Sequence, residues 1–292
     1  MLKNRALTFI VTVFAVSALY SLLWIVFPYG KGAAGFILTA FYMFIPLGCT
    51  LVLQKVIYKE PLKNIGFSFK WTPWYFLALI PIALAFLTFG ISLLMPGVTY
   101  SPDMSGMMER FAKMMTEEQM KQGMEALTTI KDYYLLIAVV QAVFFGITVN
   151  AVFAFGEEAG WRGFLIDALK DKGFLKISLI TGLVWGIWHA PAILQGHNYP
   201  DNPVAGVFMM TLWCVLLSPF FTYVVIKTKS AFSAAFMHGV LNASPGITYA
   251  YVKGGSDLTV GMTGAAGMIA LVILLILLFG YDRYFAKEKV IF

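Results

Sequence analysis

The sequence is poor in charged residues, cysteine and histidine. Only 12% of its 292 residues are charged, against about 25% in an average soluble domain, which excludes an ordinary water-soluble globular protein. The two cysteines, Cys49 and Cys214, lie in separate apolar segments, so the sequence offers neither a disulfide framework nor a cysteine-based metal motif. The formal net charge is +6, but the basic residues are spread between apolar segments, and nucleic-acid binding is not expected.

The sequence is rich in long hydrophobic segments. Sixty per cent of its residues are hydrophobic, the mean hydropathy is +0.79, and the apolar residues come in blocks of about 20, the length of a membrane-spanning helix. We predict an all-α, polytopic membrane helical bundle that forms one domain over residues 1–292. The expected spans, about eight in number, are approximately 6–27, 33–54, 73–95, 133–156, 174–194, 204–226, 231–252 and 260–281.

The Lys and Arg residues divide unequally between the two sides of this bundle. The poorer side receives Lys31, Lys253 and the four basic residues of a long polar loop at 96–132. Under the positive-inside rule, we expect both termini in the cytoplasm and the Glu157 segment at the cytoplasmic end of the fourth span. The richer side has Lys3, Arg5, Lys55, Lys59, Lys63, Lys70, Arg162, Lys170, Lys172, Lys176, Lys227, Lys229, Arg283, Lys287 and Lys289.

The loop at 96–132 carries methionines and other apolar residues at helical spacing. We predict two short amphipathic helices there. They either lie on the outer membrane surface, pack against the outer end of the bundle, or form a Met-rich lid over a substrate. The residues behind this prediction are Met107, Phe111, Met114, a capping box at Thr116-Glu-Glu-Gln119, Met120, Met124 and Leu127.

The segment from Phe155 to Phe164 places charges at the end of a long apolar run. An acidic residue at bilayer depth costs about 2.5–3.5 kcal/mol on insertion scales, so its presence calls for a reason. On a helix, Glu158 and Arg162 stand at i, i+4 and can form an ion pair, whereas Glu157 is rotated by about 100° and can face a cavity. A carboxylate held out of water suits a general base. The same run also fits a charged helix end at the membrane interface.

Two of the three histidines lie in later apolar segments. His189 follows Trp185 by one helical turn, and His238 precedes Asn242 by four residues, so that each pair shares a helix face. Polar groups of this kind within a membrane either form a functional site or hydrogen-bond a neighbouring helix. The third histidine, His197, falls in a polar loop, where we expect a solvated or structural role.

Polar groups on three separate spans are costly unless they act together, so we predict one catalytic site formed by Glu157, His189, His238 and Asn242. Two mechanisms stay open. In the first, Glu157 and one histidine activate a water, while the other histidine and Asn242 stabilise the oxyanion of a tetrahedral intermediate. In the second, Glu157, His189 and His238 bind Zn²⁺ and leave one position open, so zinc is the one cofactor to consider.

Three motifs, in this order, resemble the CPBP family of CAAX proteases and bacteriocin-processing enzymes. The second family motif usually begins with Phe, and Trp185 is a conservative departure from it. All three lie within residues 133–245. They are Glu157-Glu-x-x-x-Arg162, Trp185-x-x-x-His189 and His238-x-x-x-Asn242.

The resemblance implies an eight-helix intramembrane endopeptidase with a cavity reached from the cytoplasm. It gives Glu157 the role of activating water and gives Glu158, Arg162 and Trp185 supporting roles. Its catalytic partners would be His189, His238 and Asn242. Of the two mechanisms we favour the glutamate-dependent one, because an amide beside an imidazole suits an oxyanion donor better than a zinc ligand.

The implied substrate is a membrane-associated protein or peptide, either a prenylated protein cleaved near its C-terminus or a bacteriocin precursor. A non-catalytic alternative is an immunity factor or scaffold that binds peptides through the same cavity. A second alternative is a transporter that uses Glu157 and the histidines as a proton relay. Paired half-repeats with broken helices, which are frequent in transporters, are not evident in the sequence.

Overall fold

The computed structural model describes residues 4–112 and 117–292, and these residues are predominantly helical. This confirms the predicted all-α helical bundle. Two short strands, β1 (Val98–Tyr100) and β2 (Val252–Gly254), pair antiparallel into a hairpin-like ribbon. The first helices are α1 (Arg5–Ser21), α2 (Gly32–Tyr42), α3 (Ile45–Leu51), α4 (Ile80–Ser92), α5 (Ser105–Ala112), α6 (Glu117–Ile130) and α7 (Tyr134–Phe145). The following ones are α8 (Ala151–Glu158), α9 (Leu165–Ala168), α10 (Phe174–Trp188), α11 (Ala190–Ile193), α12 (Pro203–Thr228), α13 (Ala231–Ala243), α14 (Pro245–Tyr249) and α15 (Ala265–Tyr284).

Several helices are extended by segments of a different helical pitch. The 3-10 segments are Leu22–Ile25, Leu62–Ile65, Pro73–Leu79, Lys131–Tyr133 and Lys170–Lys172. The π-helical segments are Val52–Ile57, Gly146–Asn150 and Ala159–Phe164. The last of these begins directly after Glu158. Wide turns of this kind often occur at functional sites.

Within the described residues, five helices are long and apolar enough to cross a membrane, and α2 and α3 together form a sixth candidate that is bent by 42°. The predicted multi-pass membrane protein is thereby confirmed. The helices α10 and α13 have 15 and 13 residues, fewer than the roughly 20 that a span needs. The count of eight therefore stays a prediction. The five spans are Arg5–Ile25, Pro73–Ser92, Lys131–Ala168, Pro203–Thr228 and Ala265–Tyr284.

One end of the bundle, which we call the termini face, gathers the N-terminal and C-terminal segments. Arg5 donates from Nη1 to the Glu60 carboxylate at 3.1 Å and approaches Asp167 at 3.9 Å. On the same face, the Lys227 ammonium donates to the main-chain carbonyl of Glu288. These contacts join the start of α1, the loop after α3, the end of α9 and the C-terminal tail.

The other end, which we call the hairpin face, contains β1 and β2. The Oη of Tyr29 is hydrogen-bonded to Nδ1 of His197 at 3.0 Å, and Asn202 donates to the Asp257 carboxylate at 2.7 Å. The helices α1, α12 and α15 run from one face to the other. The 26 residues of α12 place the two faces about 39 Å apart, at about 1.5 Å per residue.

The helices α5 and α6 confirm that the loop at 96–132 is largely helical. Met107, Met108, Met120, Leu127 and Tyr134 belong to a small apolar cluster on the hairpin face, which favours packing against the end of the bundle. A lid function stays a prediction. The predictions that lie outside the described residues concern Lys3, Met114, the capping residue Thr116, and the side chains of Phe111, Gln119 and Met124.

The fourth span is longer than the sequence predicts. It runs without interruption over the 38 residues of Lys131–Ala168, whereas the apolar run suggests an end at residue 156. Glu157 therefore lies ten residues before Asp167 of the termini face, which is about 15 Å at about 1.5 Å per residue. The helix thus continues past Glu157, and the expected position of Glu157 at the cytoplasmic end of the span stays a prediction. The hydropathy falls there because charged side chains are paired inside the bundle, not because the helix ends.

Close contacts at glycines hold the site-bearing helices together. A Cβ atom on Gly186 of α10 would lie 2.5 Å from the Thr211 Cα of α12. On α13, a Cβ at Gly239 would collide with the main-chain carbonyl of Gly146. Only glycine permits such close approach, and the consequence is that α10 and α13 present Trp185 and His238 towards the same part of the bundle.

Candidate active site

The end of α8 and the π segment after it carry three charged side chains into the bundle. Glu157, Glu158 and Arg162 have exposed fractions of only 3%, 0% and 1%. Burying an ion in a protein costs several kcal/mol unless partners compensate for the lost water. The contacts of each side chain therefore show which of the three charges are compensated by an ion pair and which is available for catalysis.

Glu158 is held between two partners. The Nη1 of Arg162 lies 3.2 Å from its Oε1 and 3.1 Å from its Oε2, which confirms the predicted i, i+4 ion pair. From α13, the Nδ1 of His238 donates to Oε1 at 2.8 Å. A carboxylate paired with a guanidinium can only accept. His238 therefore carries its hydrogen on Nδ1, and its Nε2 is left for another partner.

The guanidinium of Arg162 is also enclosed by aromatic rings. Its Cζ lies 4.3 Å from the ring centroid of Trp185 and 4.5 Å from that of Phe221. Among the described residues, its Nε and Nη2 have no hydrogen-bond partner. Cation–π attraction of this kind is worth about 2 kcal/mol when the groups are desolvated. It supplements the ion pair with Glu158.

Glu157 is not part of that ion pair. Its Oε2 accepts a hydrogen bond of 2.8 Å from the indole Nε1 of Trp185. Within the described part of the chain, no hydrogen bond is recorded for its Oε1, while the side chain lines a cavity. One carboxylate is thus committed to an ion pair and the adjacent one faces open space, as the helical geometry predicts.

His189 lies where α10 ends and α11 begins. Its Nδ1 is 2.8 Å from the main-chain carbonyl of Trp185. A carbonyl oxygen can only accept, so Nδ1 carries the hydrogen, and the Nε2 of the neutral ring is an acceptor. Both histidines therefore have a fixed tautomer with Nε2 unused, and a carbonyl or carboxylate partner is the usual device for orienting such a ring.

Trp185 contacts Glu157, Arg162, His189 and His238. Its ring centroid lies 5.6 Å from that of His189 and 5.4 Å from that of His238, in addition to its hydrogen bond with Glu157. From the sequence we predict a supporting wall for Trp185. The structure adds a specific contact, because its indole is the hydrogen-bond donor to Glu157.

A single cavity of about 280 Å³ joins the predicted site residues. Glu157, His189, His238 and Asn242 all line it, so the structure brings together the four side chains that the sequence places on three helices. Asn242 differs from the others because its side chain is exposed. This places Asn242 at an opening of the cavity, whereas Glu157 and the two histidines lie deeper.

Tyr29 and His197 also line the cavity, although the sequence does not single out Tyr29 and suggests a solvated or structural role for His197. The ring of His197 is parallel to that of His189 within 5°, with 6.5 Å between centroids. Burial lowers the pKa of His197 from 6.5 to about 4, so this imidazole is neutral at pH 7. The sequence gives one weak signal for this pair, since both residues fall in loops expected on the same side of the membrane.

The zinc alternative does not fit this arrangement well. Among the described residues, no three His, Cys, Asp or Glu side chains are placed so that they could hold one metal ion. Glu157, His189 and His238 share the cavity, but their recorded partners are Trp185 and Glu158, not one another. Zinc therefore stays a prediction that metal analysis can test.

The fold and the cavity together define a class of protein, namely a polytopic helical membrane protein with buried carboxylates and imidazoles around an internal cavity. Residues 132–244 match the family described as "Type II CAAX prenyl endopeptidase Rce1-like". This range runs from the start of the fourth span to the end of α13 and contains all of the predicted site residues. The chain is also similar to CAAX prenyl protease 2 of Methanococcus maripaludis, with 26% identity over 143 residues.

That match covers 46% of this chain and 48% of the relative, so the similarity extends over about half of each protein. The resemblance to the CPBP family that the motifs indicate is confirmed over the region that carries them.

Proposed function

We propose that this protein is an intramembrane endopeptidase that hydrolyses a peptide bond of a membrane-associated substrate with a water activated by Glu157. The observation that carries the proposal is the shared cavity of Glu157, His189, His238 and Asn242. The family similarity supports it, because the matched family and the curated relative are both described as CAAX-type proteases.

The reacting water would be held by two acceptors. The Oε1 of Glu157 and the Nε2 of His238 are the atoms that the recorded hydrogen bonds leave unused. A water that donates one hydrogen to each of them directs an oxygen lone pair at the substrate carbonyl. Glu157 then takes the proton as the water attacks, which is general-base catalysis.

The charge that develops on the carbonyl oxygen needs a donor. Asn242 supplies one through its side-chain amide and has no recorded hydrogen bond among the described residues. His189 could donate to the oxyanion only in its doubly protonated form, because its Nδ1 hydrogen is engaged by the carbonyl of Trp185. We therefore assign oxyanion stabilisation to Asn242. His189 would accept a hydrogen bond from the substrate, and Glu157 would return its proton to the leaving nitrogen.

The substrate class follows from the position of the cavity within a membrane-spanning bundle. We therefore expect a substrate that is associated with the bilayer or held at its surface, close to Glu157. The name of the curated relative refers to prenylated CAAX proteins, and a prenylated protein is accordingly one candidate substrate. A bacteriocin precursor is the other candidate that the family resemblance implies.

The decisive experiment compares the wild type with Glu157→Gln in reconstituted membranes, with a membrane-anchored peptide as substrate and mass spectrometry of the products. Loss of the general base is expected to lower turnover about 100- to 10,000-fold. Glu60→Gln is the matched control, because Glu60 lies on the termini face beside Arg5. Full turnover by Glu157→Gln would contradict the assignment.

Two further measurements separate the alternatives. Metal analysis of the purified protein, followed by assay in the presence of a chelator, tests the zinc mechanism. Retained turnover in chelator, with no stoichiometric metal, is the expected result. If Glu157→Gln instead complements the cellular phenotype of a deletion strain, a non-catalytic peptide-binding role is favoured over hydrolysis.

A further inference from the structure

A second cavity lies on the outside of the bundle, where the 3-10 segment before α4, α4 itself, α12 and α15 meet. It is a groove of about 540 Å³. Two of its lining side chains, Phe76 and Leu277, are 65% and 61% exposed. The groove therefore opens towards the surroundings of the bundle, which for a membrane-spanning protein are lipid chains.

This groove is separate from the candidate active site. Within the described residues, the two cavities have no lining residue in common. Helix α12 forms the wall between them. Phe220 lines the groove, whereas the ring of the next residue, Phe221, lies 4.5 Å from the guanidinium carbon of Arg162. A molecule in the groove would thus contact the outer side of the helix that packs against the site.

One end of the groove is aromatic and carries a cation. Trp74 and Tyr223 line it with 6.2 Å between their ring centroids, and Tyr281 lines it from α15. The Nζ of Lys227 lies 5.0 Å from the Trp74 ring and 5.6 Å from the Tyr223 ring. Tryptophan and tyrosine are enriched where helices cross the headgroup level of a membrane. We therefore place this end of the groove at the membrane–water interface.

The C-terminal tail is folded back beside the same end. The carboxylate of Asp282, which is fully buried, accepts hydrogen bonds from the main-chain N–H groups of Val290 at 3.0 Å and Ile291 at 2.9 Å. Lys227 donates to the main-chain carbonyl of Glu288. An ammonium group has three donors, so this contact leaves Lys227 with two more. The tail and the end of α12 thus form one basic rim.

The charge of this rim is strongly positive. Residues 227–229 and 283–289 contain five Lys and Arg residues against one Glu. In the part of the chain that the structure describes, no ion pair is recorded for any of the five. Basic clusters at this level of a membrane attract anionic lipid headgroups. The five residues are Lys227, Lys229, Arg283, Lys287 and Lys289.

The other end of the groove is apolar and lies deeper in the membrane. Along α15 its lining extends from Tyr281 back to Leu274, which is about 10 Å at about 1.5 Å per residue. Ile80 and Ala83 of α4 line the same apolar part. One leaflet contributes about half of a hydrocarbon core of about 30 Å. The groove therefore has the direction and depth of a lipid chain that extends inwards from the interface.

We propose that this groove binds one anionic phospholipid, with an acyl chain along Phe220 and Leu274 and the phosphate beside Lys227 and the lysines of the tail. A purely apolar occupant would give no use to a basic rim that lacks acidic partners. The lipid would contact α4, α12 and α15 at once. Because it binds the folded chain, it is expected to stabilise the protein in proportion to its occupancy.

The headgroup preference can be measured on the full-length protein in a neutral detergent. The protein is titrated with phosphatidylglycerol or with phosphatidylcholine of identical acyl chains, and bound lipid is counted by native mass spectrometry. With about fivefold in affinity for each basic residue engaged, we expect phosphatidylglycerol to bind at least about tenfold more tightly and to raise the unfolding midpoint. Equal affinity for the two lipids would overturn the proposal.

Charge variants test the position of the headgroup. Lys227→Gln is expected to weaken phosphatidylglycerol binding about fivefold, and the double variant with Lys289→Gln about 25-fold. Lys170→Gln is the matched control, because Lys170 lies on the same termini face but is paired with Asp167 at 3.2 Å. The control should bind as the wild type does. Equal weakening by Lys170→Gln would mean a diffuse surface attraction and would overturn the site.

A groove-filling variant tests the position of the chain. Ala83 is exposed and lines the groove, so Ala83→Phe should occupy the space of the chain and lower the affinity for phosphatidylglycerol at least tenfold. Ala34→Phe, at an exposed position of α2 outside the groove, should leave it unchanged. Undiminished binding by a folded Ala83→Phe would overturn the chain position.

The soluble headgroup analogue glycerol 3-phosphate separates a lipid from a free phosphate. At the concentration at which phosphatidylglycerol saturates the protein, it is expected neither to displace the lipid nor to raise the unfolding midpoint. An equal rise of the midpoint would show recognition of phosphate alone and would overturn the lipid assignment. None of these measurements needs a peptide substrate, so their outcome is independent of the proposed function.

Discussion

Replacement of Trp185 by phenylalanine isolates one hydrogen bond of the proposed mechanism. The variant removes the indole N–H that lies 2.8 Å from Glu157 Oε2 but keeps an aromatic ring beside Arg162. A buried hydrogen bond to a charged group contributes about 1.5–3 kcal/mol. At about 1.4 kcal/mol per factor of ten, kcat/KM is expected to fall about 10- to 150-fold, measured with the membrane-anchored peptide in reconstituted membranes.

A matched control is available in the same cavity. Trp213 also lines it and packs against Trp185, with 6.2 Å between ring centroids. Among the described residues, its indole nitrogen has no hydrogen-bond partner. Trp213→Phe therefore removes a similar volume without removing a hydrogen bond, and its kcat/KM is expected to change far less. Equal losses in the two variants would refute the reasoning, because cavity shape and not the Glu157 contact would then account for the effect.

Two other predictions concern stability. Arg162→Met leaves the buried Glu158 without its guanidinium partner and is expected to destabilise the protein by about 3–5 kcal/mol, measured as a lower unfolding midpoint in detergent. The double variant with Glu158→Gln should recover much of the lost stability. An unchanged midpoint in the single variant would disprove the pairing. Because the pKa of His197 is lowered from 6.5 to about 4 in the folded state, the unfolded chain binds the proton more tightly, and stability should decline as the pH falls from 6.5 towards 4. His197→Gln should weaken that decline, and an identical pH profile would count against a buried neutral imidazole.

The local part of the site can be predicted from the sequence. The pairing of Glu158 with Arg162 and the outward rotation of Glu157 both follow from helical periodicity within one segment. The convergence of His189, His238 and Asn242 with Glu157 follows from the cost of isolated polar groups in a membrane. These arguments need only the spacing of residues along the sequence and the knowledge that the helices lie in a membrane.

The contacts that the sequence does not predict are those between distant segments. The Nε1 of Trp185 donates to Glu157 because the close approach of α10 to α12 at Gly186 fixes the position of α10, and no local spacing encodes that. His197 reaches the cavity through a loop whose polar composition suggests solvent exposure. The sequence also underestimates the length of the fourth helical span, because hydropathy treats paired charges inside a bundle as if they ended the helix.

Three buried aromatic rings beside the candidate site have an electrical consequence. Phe9 lies 5.6 Å from Trp161 and 5.0 Å from Phe164 between ring centroids, and all three side chains are fully buried. Arg5 of the termini face lies 5.3 Å from the Phe164 ring, so these rings lie between that face and the segment that carries Glu157. Because a charge is costly in an apolar layer of this kind, we expect the protein to hold a cavity within the membrane without conducting ions.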